Sequence, residues 1–156
     1  MVGVAVTGMG CVTPLGNSVE EFWSGLRAGR SGIGPITRFD ASRHEVRIAG
    51  EVRNLDTEAY GISPREARRV DLFALYGLVA ASQALEHAGL ARAGEPLGGF
   101  DPERTGVVIG TGIGGLGSIE EQSLNILEKG PRRVSPTLVP AAVPDVAGNE
   151  IALKYG

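Results

Sequence analysis

Hydrophobic residues recur along this chain at two different periods. From Val2 to Thr7 they alternate and are largely β-branched, which is the pattern of a strand. A second apolar run, Thr105 to Ile109, predicts a buried strand. A weaker strand is predicted within Val46 to Val52. Glycines follow the first two runs, so we expect each of those strands to lead into a loop.

Hydrophobic residues at helical spacing follow two capping-box sequences in the first half of the chain. The box that begins at Ser18 predicts a helix over about residues 18–28. A second box begins at Ser63, with proline in the first helical position. Apolar residues then recur at helical spacing as far as Ala88, and Gly89 supplies a stop signal. These signals predict one short helix and one long helix.

Two further helices are predicted in the second half of the chain. Leu116 to Lys129 has a helical pattern, with Glu120 and Glu121 expected in its first turn. A last helix is predicted from about Pro140 to Tyr155, and Pro144 is expected to shift or bend its start. Strands that alternate with helices indicate an α/β architecture with a largely parallel sheet. Two convincing strands are few for such a sheet, so we expect an incomplete domain.

Composition narrows the class of protein. A length of 156 residues fits one domain, and 24 glycines indicate many tight turns or close backbone contacts. The net charge of −3 provides no overall basic field for nucleic acid. The single cysteine, Cys11, excludes an internal disulfide framework and a multi-cysteine metal site. Without a targeting segment or an apolar run long enough for a bilayer, we expect a soluble cytoplasmic protein that binds no membrane.

The segment Gly110 to Gly115 is a literal G-x-G-x-x-G between an apolar run and a helical pattern. A dinucleotide site also needs a following strand that ends in an acidic residue, whereas the sequence after this helix is proline-rich. Alternatively, the glycines permit a sharp turn and close packing. A third alternative is the wall of a pocket for an uncharged ligand, with Ile113 as a gate. The local pattern leaves these alternatives open.

Three arginines cluster on the helix predicted after Ser63. Arg68 and Arg69 lie within about 60° of Arg65 on a helical wheel, opposite the apolar stripe. Guanidinium groups on one face suit carboxylates or phosphate. The alternative is an ordinary solvated helix face, which has the same pattern.

Cys11, His44 and His87 are the candidates for nucleophile and base chemistry. Cys11 lies in the first glycine loop, His44 in a polar connection, and His87 at a predicted helix end. No spacing brings the three together, so we interpret them as one packed thiol and two surface histidines.

Several segments, in order and spacing, resemble the N-terminal part of the β-ketoacyl-acyl-carrier-protein synthases, and most closely the elongating synthases II. They include "VAVTGMGCVTPLGN", "DLFALYGLVAASQALEHAGL", "GVVIGTGIGGLGSIEE" and "GPRRVSPTLVPAAVPDVAGNEIALKYG". The resemblance implies a thiolase-like α/β fold in αβαβα layers, with residues 1–156 as most of its first half. It also implies a cytoplasmic homodimer without cofactor or metal.

The reaction implied by the resemblance is decarboxylative condensation. An acyl group passes from acyl-carrier protein to an active-site cysteine, and malonyl-carrier protein then loses CO₂ and attacks the thioester. In the family this cysteine lies shortly after the segment that resembles "IALKYG", and the catalytic histidines and lysine follow later. The resemblance therefore assigns no catalytic residue within 1–156, and we expect the chain alone to be inactive.

The resemblance does place residues that bind the acyl chain or the carrier protein within this chain. Ile113 matches the family residue that gates the acyl pocket, and Leu138 matches a pocket position that is often phenylalanine in synthase II. This difference puts the acyl-chain preference in doubt. The resemblance also implies that five basic residues dock the acidic carrier protein, namely Arg65, Arg68, Arg69, Arg132 and Arg133.

Overall fold

A computed structural model describes residues 3–92, 95, 98 and 101–156. The helices and strands in chain order are α1 (Val19–Arg27), β1 (Ile33–Pro35), β2 (Ile48–Gly50), α2 (Pro64–Ala67), α3 (Leu72–His87), α4 (Leu116–Lys129), α5 (Leu138–Ala142) and α6 (Val146–Tyr155). Short 3₁₀ turns cover Glu58–Tyr60, Pro102–Arg104 and Pro131–Arg133. No helix in these described ranges is long and apolar enough to cross a bilayer.

Two helices form where local signals predict them. α1 follows Ser18, whose hydroxyl accepts a hydrogen bond from the backbone N–H of Glu21 at 3.2 Å. α4 has the predicted bounds and ends at Gly130, which has a positive φ of 83°. The prediction that Glu120 and Glu121 occupy the first turn of α4 is wrong, because the helix begins at Leu116 and no acidic residue lies in its first turn.

The long helix predicted after Ser63 is divided in two. The capping box is present, with Ser63 N–H donating to Glu66 Oε2 at 2.8 Å, but α2 ends at Ala67. Asp71 has extended backbone angles and starts α3 afresh, its carboxylate accepting from Phe73 N–H at 3.4 Å. A single helical wheel therefore does not apply across this junction, because Arg69 lies beyond the end of α2.

The predicted last helix is also divided, and proline is the cause. α5 ends at Ala142 and α6 begins at Val146. Val143 is extended (φ −66°, ψ 143°), as expected for a residue that precedes proline. Pro144 has no N–H to donate and its ring obstructs a continuous helix. The prediction of one continuous helix from Pro140 to Tyr155 is therefore wrong. The expectation that Pro144 shifts or bends the start of the last helix is confirmed, because α6 begins at Val146.

The predicted parallel sheet is not present in the described part of the chain. Residues 3–7 and 105–109 form no strand there, and Val4 and Val108 are 98% and 96% exposed. Extended segments become strands only when neighbouring segments satisfy their backbone hydrogen bonds. Within the described residues the sheet is the antiparallel pair β1–β2, with Pro35 opposite Ile48. The weaker prediction of a strand within Val46 to Val52 is therefore confirmed in part, for residues Ile48–Gly50.

The main hydrophobic core lies between α3 and α6. Leu75, Leu78 and Val79 of α3 pack in one buried cluster with Ile151 and Tyr155 of α6. The Tyr155 hydroxyl donates to Ser82 Oγ at 2.5 Å, and burial raises the pKa of this phenol. The end of α6 is thereby fixed against the middle of α3.

The first glycine loop lies directly on the surface of α3. Met9 N–H donates to His87 Nδ1 at 3.1 Å, and Cys11 N–H donates to Gln83 Oε1 at 3.0 Å. A Cβ atom on the intervening Gly10 would lie 2.0 Å from the carbonyl oxygen of Ala80. Glycine is therefore required here for close approach of two backbones.

Glu51 ties the β1–β2 hairpin to the segment that follows β1. Its buried carboxylate accepts from Thr37 N–H at 2.9 Å, Thr37 Oγ1 at 2.7 Å and Arg38 N–H at 3.2 Å. These bonds, first those from the Thr37 backbone and side chain, lower the pKa of Glu51. The charged carboxylate therefore stabilises the folded state above the ordinary glutamate pKa of about 4.3, and this stabilisation is lost as the pH falls through the lower folded-state pKa.

We expect Glu51→Gln to lower the melting temperature at pH 7, because the charged acceptor is removed. The melting temperature of the variant should also fall less between pH 5 and acidic pH, because the amide cannot titrate. Thermal melts of the complete protein across this pH range test the prediction. Glu45→Gln is the matched control, since Glu45 is exposed in the connection between β1 and β2. An equal pH response in both variants would contradict a specific contribution from Glu51.

Candidate functional site

The glycine loop before α4 has an open half and a packed half. A Cβ atom on Gly110 or Gly112 would meet none of the described residues within 4 Å. Gly114 has a φ of 86° and donates its N–H to Thr111 Oγ1 at 3.2 Å. A Cβ atom on Gly115 would lie 2.7 Å from the Cα of Ala142. The later glycines thus allow the loop to pack against the end of α5.

The first turn of α4 is occupied by groups of the protein itself. Gly115 N–H donates to the carbonyl of Ala142 at 2.8 Å. Ser118 N–H and Oγ both donate to Asp71 Oδ2, at 2.7 and 2.8 Å. A nucleotide phosphate at this helix end would have to displace these bonds and lie beside a carboxylate of the same charge. Nothing in the described residues supports the dinucleotide alternative.

Ile113 lies at the open side of this loop, and its side chain is 62% exposed. A Cβ atom built on the neighbouring Gly112 would meet no described residue within 4 Å, so the loop is open beside Ile113. The gate role of Ile113 remains a prediction.

Leu138 begins α5 and lines a surface cavity of about 250 Å³. Arg68 and Arg69 line the same cavity from the junction between α2 and α3, with Glu121 and Ser135 among the other lining residues. The structure therefore brings Leu138 together with two of the predicted docking arginines.

The five predicted docking arginines lie on two segments, and two of them, Arg68 and Arg69, line this cavity. Arg65 is in α2, Arg68 and Arg69 follow it, and all three are exposed. The exposed Arg132 and Arg133 lie in the 3₁₀ turn after α4. Within residues 3–92 and 101–156, none of the five has a carboxylate oxygen within 4.0 Å. Their guanidinium groups therefore remain available for acidic groups from outside the chain.

The buried Gln122 positions the second arginine segment. Its Oε1 accepts from Ser135 N–H at 2.8 Å and so holds the chain that follows Arg132 and Arg133 against α4. No sequence signal identified Gln122. Asp71 was also missed, although an aspartate directly before an apolar helical run is an N-cap signal.

Cys11, His44 and His87, the candidates for nucleophile and base, are held in contacts within the fold. Burial, followed by the charge of Glu20, raises the pKa of the half-buried Cys11 thiol, which disfavours the reactive thiolate. His87 Nδ1 accepts the Met9 N–H, and His44 stacks edge-on against Phe39 with ring centroids 5.5 Å apart. In the described part of the chain no cluster of three or more potential metal ligands occurs.

The chain matches known proteins along its whole length. The family model for the β-ketoacyl synthase N-terminal domain matches residues 1–156. The 3-oxoacyl-[acyl-carrier-protein] synthase 2 of Vibrio cholerae is 44% identical over 153 residues, which are 98% of this chain and 36% of the relative. The corresponding synthase 2 of Synechocystis is 41% identical, with 98% of this chain and 35% of the relative covered.

The backbone resembles solved ketosynthase structures. The ishigamide ketosynthase/chain length factor superimposes with a TM-score of 0.76 at 28% identity, covering 96% of this chain and 36% of that chain. This chain therefore spans just over a third of the length of the proteins that it matches.

Proposed function

Since this chain belongs to the β-ketoacyl synthase family through its N-terminal domain, we propose that the complete protein condenses an acyl thioester with malonyl-acyl-carrier protein to elongate a fatty acid chain. The observation that carries the proposal is the 44% identity to a 3-oxoacyl-[acyl-carrier-protein] synthase 2 over 98% of the chain. The fold is the N-terminal part of the thiolase-like α/β fold of ketosynthases.

The reaction divides into acyl transfer and condensation. A cysteine thiolate attacks the acyl thioester and releases the carrier thiol. Malonyl-carrier protein then loses CO₂, and its α-carbon attacks the enzyme-bound thioester, which regenerates the cysteine and forms β-ketoacyl-carrier protein. We assign none of these covalent steps to residues 1–156. Their proposed contribution is to bind the acyl chain and the carrier protein, within a cytoplasmic homodimer.

Carrier-protein binding is assigned to Arg65, Arg68, Arg69, Arg132 and Arg133. Their exposure and their lack of carboxylate partners in the described residues support this assignment. One solved neighbour is a type II PKS acyl-carrier protein in complex with its ketosynthase, superimposed with a TM-score of 0.70 at 26% identity, covering 95% of this chain and 38% of that chain. Acyl-chain binding is assigned to Ile113 and Leu138.

The function is tested with the complete protein, acyl-carrier protein and malonyl-carrier protein. We expect one CO₂ released for each β-ketoacyl-carrier protein formed, as measured by mass spectrometry and CO₂ trapping. The 156-residue chain alone should form no product. Absence of product from the complete protein would refute the proposal, and saturable NAD(H) or NADP(H) binding at the glycine loop would favour the dinucleotide alternative.

We expect Ile113→Phe in the complete protein to reduce kcat/KM for long acyl chains by roughly tenfold or more while sparing short chains, because the larger ring fills the pocket mouth. Assays across a series of acyl-chain lengths measure this effect. Ile126→Phe provides the same substitution near the other end of α4 and should leave the series unchanged. An unaltered profile for Ile113→Phe would remove this residue from the acyl pocket.

A further inference from the structure

Asp71 connects two helices, α3 and α4, that adjoin segments carrying proposed binding residues. It begins α3 directly after the segment of Arg68 and Arg69, and its carboxylate accepts from Phe73 N–H at 3.4 Å. The other carboxylate oxygen accepts from Ser118 N–H and Oγ at 2.7 and 2.8 Å, across 47 positions of sequence. One side chain therefore caps α3 and also holds the first turn of α4.

The packing around Asp71 leaves little room for adjustment. A Cβ atom on Gly115 would lie 3.2 Å from Asp71 Cβ, and one on Gly117 would lie 3.3 Å from Asp71 Oδ2. The carboxylate also lies at the N-terminal ends of two helices of 16 and 14 residues, where negative charge is favoured. Charge, hydrogen bonds and steric fit all act at the same point.

The glycine loop depends on contacts at its C-terminal end. In the part of the chain that the structure describes, Gly110 and Gly112 have no neighbours within 4 Å of a built Cβ. The loop is held where Gly115 bonds Ala142 and where α4 begins, at the turn that Asp71 binds through Ser118. Loosening this turn would therefore remove one of the two contacts that hold the segment carrying Ile113, and leave the bond from Gly115 to Ala142 as the other.

We propose that Asp71 is a positioning residue that sets acyl-chain selectivity by holding the first turn of α4 and, through it, the loop of Ile113. This inference rests on the proposed function, because selectivity requires Ile113 to contact the acyl chain. The position of the loop itself does not depend on that function and can be measured separately.

The test is Asp71→Asn in the complete protein, because asparagine keeps the shape but loses the charge and one acceptor oxygen. Amide hydrogen exchange should show roughly tenfold less protection at Ser118 and its neighbours, as expected for weakening one charge-assisted hydrogen bond. The ratio of kcat/KM for long and short acyl chains should move at least threefold toward equality, a change of roughly 0.6 kcal/mol.

Two serine variants provide the comparison, one at the contact with Asp71 and one away from it. Ser118→Ala removes one of the two bonds to Asp71 and should change exchange and selectivity in the same direction by less. It also keeps the inference testable if Asp71→Asn does not fold. Ser123→Ala is the control, since the one hydrogen bond of the exposed Ser123 hydroxyl within the described residues goes to the Ile119 carbonyl of α4. It should alter neither measurement.

Each outcome separates this inference from the proposed function. Unchanged exchange at Ser118 would overturn the positioning role of Asp71. Weakened protection with an unchanged chain-length ratio would overturn its role in selectivity, and the Ile113→Phe result then decides whether the pocket assignment stands. If the wild-type protein forms no ketoacyl product, the proposed function fails, while the exchange measurement still tests Asp71.

Discussion

Gly10→Ala is expected to destabilise the complete protein by about 3 kcal/mol, because the added methyl group collides with the backbone of α3. The built Cβ lies 2.0 Å from the Ala80 carbonyl oxygen and 2.7 Å from the Gln83 Cβ. A helix backbone cannot move away without losing its own hydrogen bonds. The loop must therefore separate from α3, which also breaks the bond from Cys11 N–H to Gln83.

Urea denaturation followed by circular dichroism measures this loss as a lower midpoint with an unchanged slope. Gly3→Ala is the matched control, since among the described residues its Cβ would meet nothing within 4 Å. It should change stability by no more than roughly 0.5 kcal/mol. Equal midpoints for the two variants would show that the first glycine loop does not lie on α3.

Replacing Arg65, Arg68 and Arg69 together by glutamate is expected to lower kcat/KM for acyl-carrier protein by roughly tenfold or more, because charged surfaces steer association. The loss should shrink as salt is added, since the Debye length falls from roughly 10 Å at 0.1 M to about 3 Å at 1 M. Acyl-coenzyme A or a pantetheine thioester should be affected far less, because these substrates lack the acidic carrier protein.

The decisive quantity is the ratio of the losses on carrier-protein and small-thioester substrates. Changing Arg27, Arg43 and Arg47 to glutamate gives the same net charge at other exposed positions and serves as the control. Equal losses on both substrate types would mean that Arg65, Arg68 and Arg69 support the fold. Equal losses from both sets of arginines would mean that only net charge matters.

The helix boundaries that the sequence predicted correctly depend on nearby residues. Ser18 bonds the N–H of Glu21 three residues away, and Gly130 ends α4 by adopting a positive φ. Such signals can be read from a short stretch of sequence because donor, acceptor and backbone angle belong to one turn. The family could likewise be identified from short stretches of sequence, because comparing segments with a family requires no coordinates.

The missed features depend on distant residues. Helical periodicity continues past Asp71, but this carboxylate starts a new helix and binds Ser118, 47 positions away. The apolar runs at 3–7 and 105–109 have strand-like patterns but no ladder within the described residues. A strand requires hydrogen-bonding partners, and a local pattern does not supply them.

For the candidate site, the sequence by itself determined which residue types were present: glycines before α4, arginines on two segments, and leucine at position 138. Only the tertiary structure argued against the dinucleotide use of the glycines, because Ala142 and Asp71 occupy the helix end where a nucleotide phosphate would bind. It also brought Arg68, Arg69 and Leu138 to one cavity. The physical reason is that packing and hydrogen bonding act over distances in space, whereas sequence patterns report only neighbours along the chain.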